Sequence, residues 1–326
     1  MKAAAKTSVD LETIAHTCLD GGLIDRGAAE VLCRCDLFDL FYWANRIRRN
    51  FFGETIGVCS IVSGRLGGCD QDCRFCAQSS RYKTHVKGMR TAADEEVLAA
   101  ARAAAESGVR RFGIVYSGGT LTGAEFERLC SLVAGVRRMG LCPCASAGML
   151  NERRLEELAG VGLCGYNHNL ETSERYFSNV VTTHAYRDRV ATIACAKRAG
   201  LSVCAGGIFG MGETENDRIE MAFTLRELGA DTVPMNFLHP IEGTPLGMRK
   251  PLRPLAILRV IAMYRFILPA TSLKVAGGRV SNLRDLQSWV FYAGANAILS
   301  GNYLTTAGRP VCEDMRMLRD LELKPG

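Results

Sequence analysis

From about residue 55 onward, short apolar runs rich in β-branched residues alternate with longer stretches whose apolar positions recur at helical spacing. A short apolar run between turn signals suits a strand buried on both faces, and the helical recurrence suits an amphipathic helix packed over it. The runs predict strands at 57–62, 112–116, 141–146, 163–168, 201–206, 231–237, 271–276 and 296–300. The periodic stretches predict helices at 92–106, 122–139, 151–160, 187–199, 215–228, 253–267 and 283–293. Thr122, followed three residues on by Glu125, reads as a capping box, and Pro254 suits the first turn of its helix.

Eight strands in strict alternation with helices imply a parallel sheet, and eight is the number that closes an α/β barrel of the (β/α)8 TIM type. A doubly wound open sheet is the rival fold, but no reversal signal interrupts the alternation. Helical patterns at 9–18, 25–33 and 36–48 precede the barrel. Residues 1–50 are therefore expected to form an N-terminal helical extension and 51–326 the barrel, one domain overall. In such a barrel the chemistry belongs at the C-terminal ends of the strands.

Composition narrows the function classes. The net charge of +6 is small and dispersed; Arg48–Arg49 and Arg110–Arg111 are isolated pairs, so no nucleic-acid partner is expected. No apolar run reaches the roughly 18 residues of a membrane span, and Met1–Asp10 lacks the apolar stretch of a signal peptide, so a cytoplasmic protein is expected. In that reducing compartment the 14 cysteines are not expected to pair as disulfides. Cys18, Cys130, Cys164, Cys195 and Cys312 read as small packing residues.

A group of three cysteines stands apart. Cys69-Asp-Gln-Asp-Cys73-Arg-Phe-Cys76 follows the first predicted strand. Three thiolates this close on one loop can wrap a corner of an iron–sulfur cubane and leave its fourth iron open. An open iron can chelate the amino and carboxylate groups of a small molecule and pass it an electron. A zinc knuckle and incidental cysteines are the competing readings. A structural zinc site wants four ligands, commonly as paired CxxC elements, and no fourth follows locally. The spacing, Phe75 and the position after strand one point to a [4Fe–4S] cluster on Cys69, Cys73 and Cys76 that cleaves S-adenosylmethionine reductively.

The surrounding sequence, CSIVSGRLGGCDQDCRFCAQSSRYKT, resembles the biotin synthase family. YNHNLETS (166–173), VTTHAYRDR (181–189), VCAGGIFGMGET (203–214), VPMNFL (233–238), EGTPL (242–246) and FYAGANAI (291–298) match in order, and the likeness spans about residues 36–322. The resemblance implies conversion of dethiobiotin to biotin. A 5′-deoxyadenosyl radical takes hydrogen from two unactivated carbons, and sulfur enters from a second cluster that is consumed. It also implies that Asn169 and Glu171 contact dethiobiotin and the adenosine ribose, with His168 pointing away from both by strand alternation. Arg189 would lie near the S-adenosylmethionine carboxylate and Asn236 between the two substrates. Ser117, Gly118 and Gly119 would let backbone approach the methionine amino group. Any of these polar residues alone would read as an ordinary surface or capping residue. A flavodoxin or ferredoxin is the expected electron donor, and a homodimer the expected assembly.

Two positions depart from the family pattern for the second cluster. Cys144 and Cys204 are kept, but Gly113 stands where the pattern has cysteine and Lys274 where it has arginine. Either no second cluster exists, and the protein is a maturase-like or mutase-like paralogue of the enzymes of hydrogenase maturation and methylornithine formation, or an auxiliary iron–sulfur cluster exists with other ligands. The second alternative is preferred, because Cys59 could face the gap at Gly113, and Cys142 shares a strand face with Cys144. Pro143 could distort that strand. Space at Gly113 argues for a cluster bulkier than the conventional [2Fe–2S], of four irons with an extra sulfide, with Lys274 as a facing positive charge. Cys33 and Cys35 could approach the barrel floor or pack as helix residues. Outside enzymes, the rival is a cluster carrier or electron-transfer module.

Overall fold

A computed structural model describes residues 10–326; residues 1–9 of the expected helical extension lie outside the described residues. Three helices, α1 (Leu11–Leu19), α2 (Arg26–Leu32) and α3 (Leu37–Phe52), lead into β1 (Thr55–Gly67) and β2 (Met89–Thr91). The repeating part continues through α4 (Asp94–Glu106), β3 (Arg111–Tyr116), α5 (Gly123–Arg138), β4 (Cys142–Ser146), α6 (Glu152–Gly160) and β5 (Gly165–Asn167). Then come α7 (Glu174–Phe177), α8 (Tyr186–Arg198), β6 (Ser202–Cys204), β7 (Gly207–Phe209), α9 (Glu215–Glu227), β8 (Thr232–Phe237), α10 (Pro254–Ile267) and β9 (Ser272–Val275). Short α11 (Arg279–Leu283) and α12 (Trp289–Tyr292), β10 (Ala297–Leu299), α13 (Val311–Asp320) and β11 (Lys324–Pro325) complete the chain.

The strands run parallel in the order β1, β3, β4, β5, β6 with β7, β8, β9, β10, and β10 pairs with β1, so the sheet closes into an eight-position barrel. The expected (β/α)8 fold is present. Thr122 caps α5 as read: its hydroxyl accepts from Glu125 N, and the Glu125 carboxylate accepts from Thr122 N at 2.9 Å. Pro254 opens α10. The apolar faces meet in one continuous core to which α1–α3 also contribute, through Cys18, Leu32 and Phe41. Cys33 lies 3.9 Å from Met263 of α10, and Cys35 donates to Val31 O, so both are packing residues of the extension.

Three elements differ from expectation. The predicted helix 283–293 is broken into α11, a 3-10 turn at Arg284–Leu286 and α12. Arg284 takes φ 51, a left-handed conformation that ends a helix. The predicted strand 201–206 stops at the end of β6, and the chain resumes extended pairing only in β7. A Cβ on Gly206 would stand 2.1 Å from Pro234 O, and Pro234 has no N–H to continue the ladder, so the strand bends there. β1 outruns its predicted end, leaving the barrel rim to pair antiparallel with β2. Its last residues, 63–67, are mostly glycine and polar, so they carry no apolar pattern. Pro143 does not distort β4, whose register with β3 is continuous from Cys142 to Ser146.

Candidate active site

The loop after β1 carries Cys69, Cys73 and Cys76 and is fastened on several sides. Cys69 N donates to Gln78 O at 3.0 Å, Ser80 N to Cys69 O at 2.8 Å, and Cys76 N to Cys73 O at 2.9 Å. Asp72 accepts from the backbone N–H groups of Thr182 and Thr183 at 2.9 and 3.1 Å and from both hydroxyls. Burial opposes the Asp72 charge, but these donors hold its carboxyl down at about 2. Burial raises the thiols of Cys73 and Cys76, the latter to about 11, and the neighbouring thiols of the loop push in the same direction. Among the described residues no three His, Cys, Asp or Glu side chains crowd closely enough to grip a single ion. An iron–sulfur cluster sets its thiolates farther apart than a lone metal does, so three thiols on one fastened loop remain compatible with a cluster.

Beside this loop, the residues expected to meet the substrates stand just past β5. The strand ends at Asn167, so the alternation expected to orient Asn169, Glu171 and His168 does not extend to them. Glu171 instead takes φ 71 and bridges to Gly207. Its carboxylate is buried and lies 3.4 Å from Arg189, yet its second oxygen has no partner. Asn169 Oδ1 and His168 Nε2 are likewise buried and unpaired. Buried polar atoms are nearly always satisfied, so three orphans in one place mark where a polar ligand fits. Burial raises the Glu171 carboxyl against the pull of Arg189.

Arg189 is itself held in place. Its Nη1 donates to Asn169 O at 2.8 Å, and its Nε donates to His184 Nε2 at 2.9 Å. His184 must therefore accept at Nε2 and donate from Nδ1, which meets Gln71 Oε1 at 2.7 Å. That pattern requires the neutral imidazole. Burial and the Arg189 charge push its pKa down to about 4. A chain of contacts thus joins the cysteine loop, through Gln71, to the Glu171 pocket. Sequence reasoning missed Gln71, Asp72 and His184, although all three lie inside the motifs it had singled out.

Ser117 donates to Gly67 O at 2.6 Å, and Gly119 N reaches Asp70 Oδ1 at 3.3 Å. Gly118 takes φ +107, which only glycine adopts freely. Asn236 donates to Gly207 O at 3.2 Å and accepts from Gly277 N at 2.9 Å, tying two strand ends together.

Barrel interiors are normally filled by layers of side chains. This one keeps a cavity of about 690 Å³ that runs below Asn169 and Asn236 and is lined by Cys59, Cys142, Cys144, Cys204 and Lys274. Lys274 Nζ lies 3.3 Å from Cys204 Sγ. Burial opposes the lysine charge, but the thiols of Cys204, Cys59 and Cys144 raise its pKa above the usual range. Cys144 is lowered, first by the Cys142 thiol that donates to it, then by Arg111 and Lys274. Four thiols and a buried cation in one cavity make a suitable cradle for an iron–sulfur group with net negative charge. Cys59 does not face Gly113, because the register pairs Cys59 with Arg111 and Ile61 with Gly113. The gap at Gly113 is closed by Ile61, whose Cγ2 would lie 3.1 Å from an added Cβ.

Residues 65–225 match the Radical SAM superfamily, and residues 234–324 match the Biotin and Thiamin Synthesis associated domain. A biotin synthase of Geobacter sulfurreducens is 45% identical over 317 residues, covering 96% of this chain and 96% of that protein. One of Heliobacterium modesticaldum is 48% identical and covers 93% of this chain and 94% of its own. Among solved structures, methylornithine synthase superposes with a TM-score of 0.83 at 20% identity, covering 96% of this chain and 97% of its own. A maturase of the [FeFe]-hydrogenase superposes at 0.82 with 15% identity, covering 96% and 74%. At such identities these two share the fold.

Proposed function

The chain belongs to the biotin synthase family, and from that premise we propose that it inserts sulfur between two unactivated carbons of dethiobiotin to give biotin. The observation that carries this reading is the single cavity joining Asn169 and Asn236 to the thiols of Cys59, Cys142, Cys144 and Cys204. An enzyme that forms carbon–sulfur bonds by a radical must bring carbon and sulfur into one enclosed space.

Cys69, Cys73 and Cys76 would hold the [4Fe–4S] cluster. When bound, it would supply the electron that splits S-adenosylmethionine into methionine and a 5′-deoxyadenosyl radical able to take hydrogen from an unactivated carbon. The chain's own residues bind and orient. Glu171, with one carboxylate oxygen free, accepts ribose hydroxyls, and Asn169 accepts from a neighbouring polar group. Arg189, fixed by neutral His184, places its cation for the S-adenosylmethionine carboxylate. Ser117, Gly118 and Gly119 bring backbone close to the methionine amino group, and Asn236 lies between the two substrates. Leu304, on the 302–307 loop that Thr305 O ties to His85 at 3.0 Å, lines the cavity beside these residues.

Cys59, Cys144 and Cys204, with Cys142 beside them, would hold the auxiliary iron–sulfur group that gives up the sulfur. Its composition differs from a conventional [2Fe–2S] cluster, since Gly113 offers no thiolate and Lys274 offers charge in place of ligation. A small acidic flavodoxin or ferredoxin is the electron donor that suits a chain of net charge +6. Support for a homodimer comes from the exposed aromatics Phe38, Tyr42, Trp289 and Tyr292 on α3 and α12. No helix among the described residues is long and apolar enough to cross a membrane, and a cytoplasmic location is part of this proposal.

The test is anaerobic reconstitution, iron and sulfide counting with Mössbauer spectroscopy, and an assay with dithionite, S-adenosylmethionine and dethiobiotin. Deoxyadenosine together with biotin is expected. Deoxyadenosine without biotin would make the protein a non-sulfurating paralogue, and neither product would make it a carrier. An iron content of only about four per chain, in one cluster type, would remove the auxiliary group.

A further inference from the structure

The sequence disperses its positive charge, and the fold gathers much of it in one place. Residues 69–91 hold the cysteine loop, and residues 239–250 form the loop after β8. The two segments touch: Leu246 N donates to Arg74 O at 3.2 Å, and a Cβ on Gly243 would stand 1.9 Å from Lys83 O. Together they carry seven Arg and Lys against three Asp and Glu, a net +4 of the chain's +6. Arg90 pairs with Glu96 at 2.6 Å. Arg74, Arg81, Lys83, Lys87, Arg249 and Lys250 are exposed and form no ion pair among the described residues. Two of the three carboxylates are turned to other partners, Asp70 to Gly119 N and Asp72 to the N–H groups of Thr182 and Thr183.

Apolar side chains complete this face. Met248 is 95% exposed and Met89 63%. Met89 lies against Gly68, the residue before Cys69, where an added Cβ would meet it at 2.8 Å. Met248 stands two residues beyond Leu246, whose N–H reaches Arg74 of the cysteine loop. Methionine is flexible and polarizable, and it adapts to the surface of a protein partner. Arginine and methionine are both enriched where proteins meet. A nucleic-acid strand would want aromatic rings to stack on. The exposed aromatics Phe38, Tyr42, Trp289 and Tyr292 lie elsewhere, on α3 and α12.

We propose that the face built by the cysteine loop and the 239–250 loop docks an acidic one-electron donor protein, with Lys83, Lys250 and Met248 among its contacts. The proposal rests on the reading that Cys69, Cys73 and Cys76 hold a cluster that must be reduced for each cleavage of S-adenosylmethionine. That electron comes from outside the chain, and the unpaired cations stand on and against the very loop it must reach. One electron crosses: the donor is oxidised by one, the cluster is reduced by one, and no covalent bond changes in the docked pair. S-adenosylmethionine then takes the electron as its carbon–sulfur bond breaks. Electron-transfer encounters bury little surface, so charge rather than area sets how the partners find and orient each other. A concentrated positive face on a chain of small net charge supplies that direction.

The test titrates reconstituted holoenzyme with a purified acidic flavodoxin in its oxidised form, anaerobically and at low salt, by calorimetry. In parallel, deoxyadenosine is measured with either reduced flavodoxin or dithionite as the electron source. Lys83→Glu and Lys250→Glu change exposed side chains that make no hydrogen bond among the described residues, and Met248→Glu changes the apolar contact. Each should weaken flavodoxin binding about tenfold and slow the flavodoxin-driven rate in step, while iron content and the dithionite-driven rate are kept. Added salt should weaken binding by the wild type more than by the lysine variants. Arg319→Glu makes the same change of charge on α13 and should behave as the wild type. Wild-type affinity in Lys83→Glu and Lys250→Glu, or an equal loss in Arg319→Glu, would overturn the docking face. So would a matching loss of the dithionite-driven rate, since the cations would then serve the cysteine loop itself. The binding arm needs no turnover. Charge-dependent binding, with deoxyadenosine formed but no biotin, would strike the sulfur-insertion reading and leave the docking face standing.

Discussion

At the scale of single residues, the site is marked by groups whose placement disfavours folding. Glu171 is a buried carboxylate in a left-handed backbone conformation with one oxygen unpaired. The conformation alone costs about 1–2 kcal/mol for a residue with a Cβ. An unsatisfied buried acceptor costs about 1–3 kcal/mol more. A ligand that donates to that oxygen recovers the second cost on binding. Glu171→Gln keeps the shape and the backbone but replaces a charged acceptor with a neutral one. S-adenosylmethionine affinity should fall about tenfold or more, since a hydrogen bond to a charged group contributes about 1.5–3 kcal/mol. Anaerobic calorimetric titration checks this, and a wild-type Kd would take Glu171 out of the pocket. His184 gives a prediction in pH. Its folded pKa, about 4, lies below the ordinary histidine value of 6.5, so between those values the unfolded chain binds a proton that the folded one refuses. Stability therefore falls as pH drops through that window and levels off below it. Buried His168, also lowered, acts in the same direction. Denaturant titrations from pH 7 to about pH 4 should show the loss, and His184→Gln should lessen it. A slope unchanged by that substitution would refute the assignment of the proton to His184.

At the scale of elements, helix ends and strand ends carry the function. The capping box at Thr122 does more than start α5. Glu125 also pairs with Arg65 of β1, and Arg65 holds the carbonyl of Ser117 through its Nε at 2.8 Å. Thr122→Ala should cost about 1 kcal/mol, the usual effect of losing a cap, and leave S-adenosylmethionine binding intact, because Glu125 can still hold Arg65. Glu125→Ala should match that loss of stability and also weaken S-adenosylmethionine binding, because the Ser117–Gly119 loop loses its support. Urea denaturation and ligand titration of the two variants separate the effects, and equal binding in both would show that the cap does not reach the loop. This cap was legible because its signal is local: a hydroxyl, a spacing and an apolar run. The broken helix at 283–293 was not legible. Its apolar spacing is helical, but the segment is governed by Arg279, fully buried against Asp314 of distant α13 and hydrogen-bonded to it at 3.0 Å. The bend between β6 and β7 was hidden for a similar reason, since Pro234 lies on another strand.

At the scale of the whole molecule, the barrel was readable because eight alternations leave few ways to close a parallel sheet. The cysteine loop was readable because its three cysteines lie within eight residues of sequence. The thiols of the cavity were readable as candidates, since Cys59, Cys142, Cys144 and Cys204 all line it, but register decides which strand neighbour each meets, and it pairs Cys59 with Arg111 and not with Gly113. That Ser202, Thr232 and Ser272 line the cavity was not readable at all, because such small residues carry no signal until the strands align them. A cavity of this size and a buried lysine are poor ways to stabilise a barrel, and this yields a test of what they are for. Lys274→Met fills similar volume, removes a charge from the interior and leaves no carboxylate unpaired. Replacing buried ionic groups by apolar ones is often neutral or stabilising by about 1–4 kcal/mol. The metal-free protein should therefore be as stable as wild type or more so in anaerobic thermal melts. The reconstituted variant should keep the irons of the Cys69–Cys73–Cys76 cluster but lose the rest, because the thiolates around Cys204 no longer have a cation to offset their charge. Deoxyadenosine would still form, and biotin would not. A variant that keeps its full iron content would show that Lys274 is a packing residue; one that loses both clusters and melts early would show that the lysine holds up the barrel.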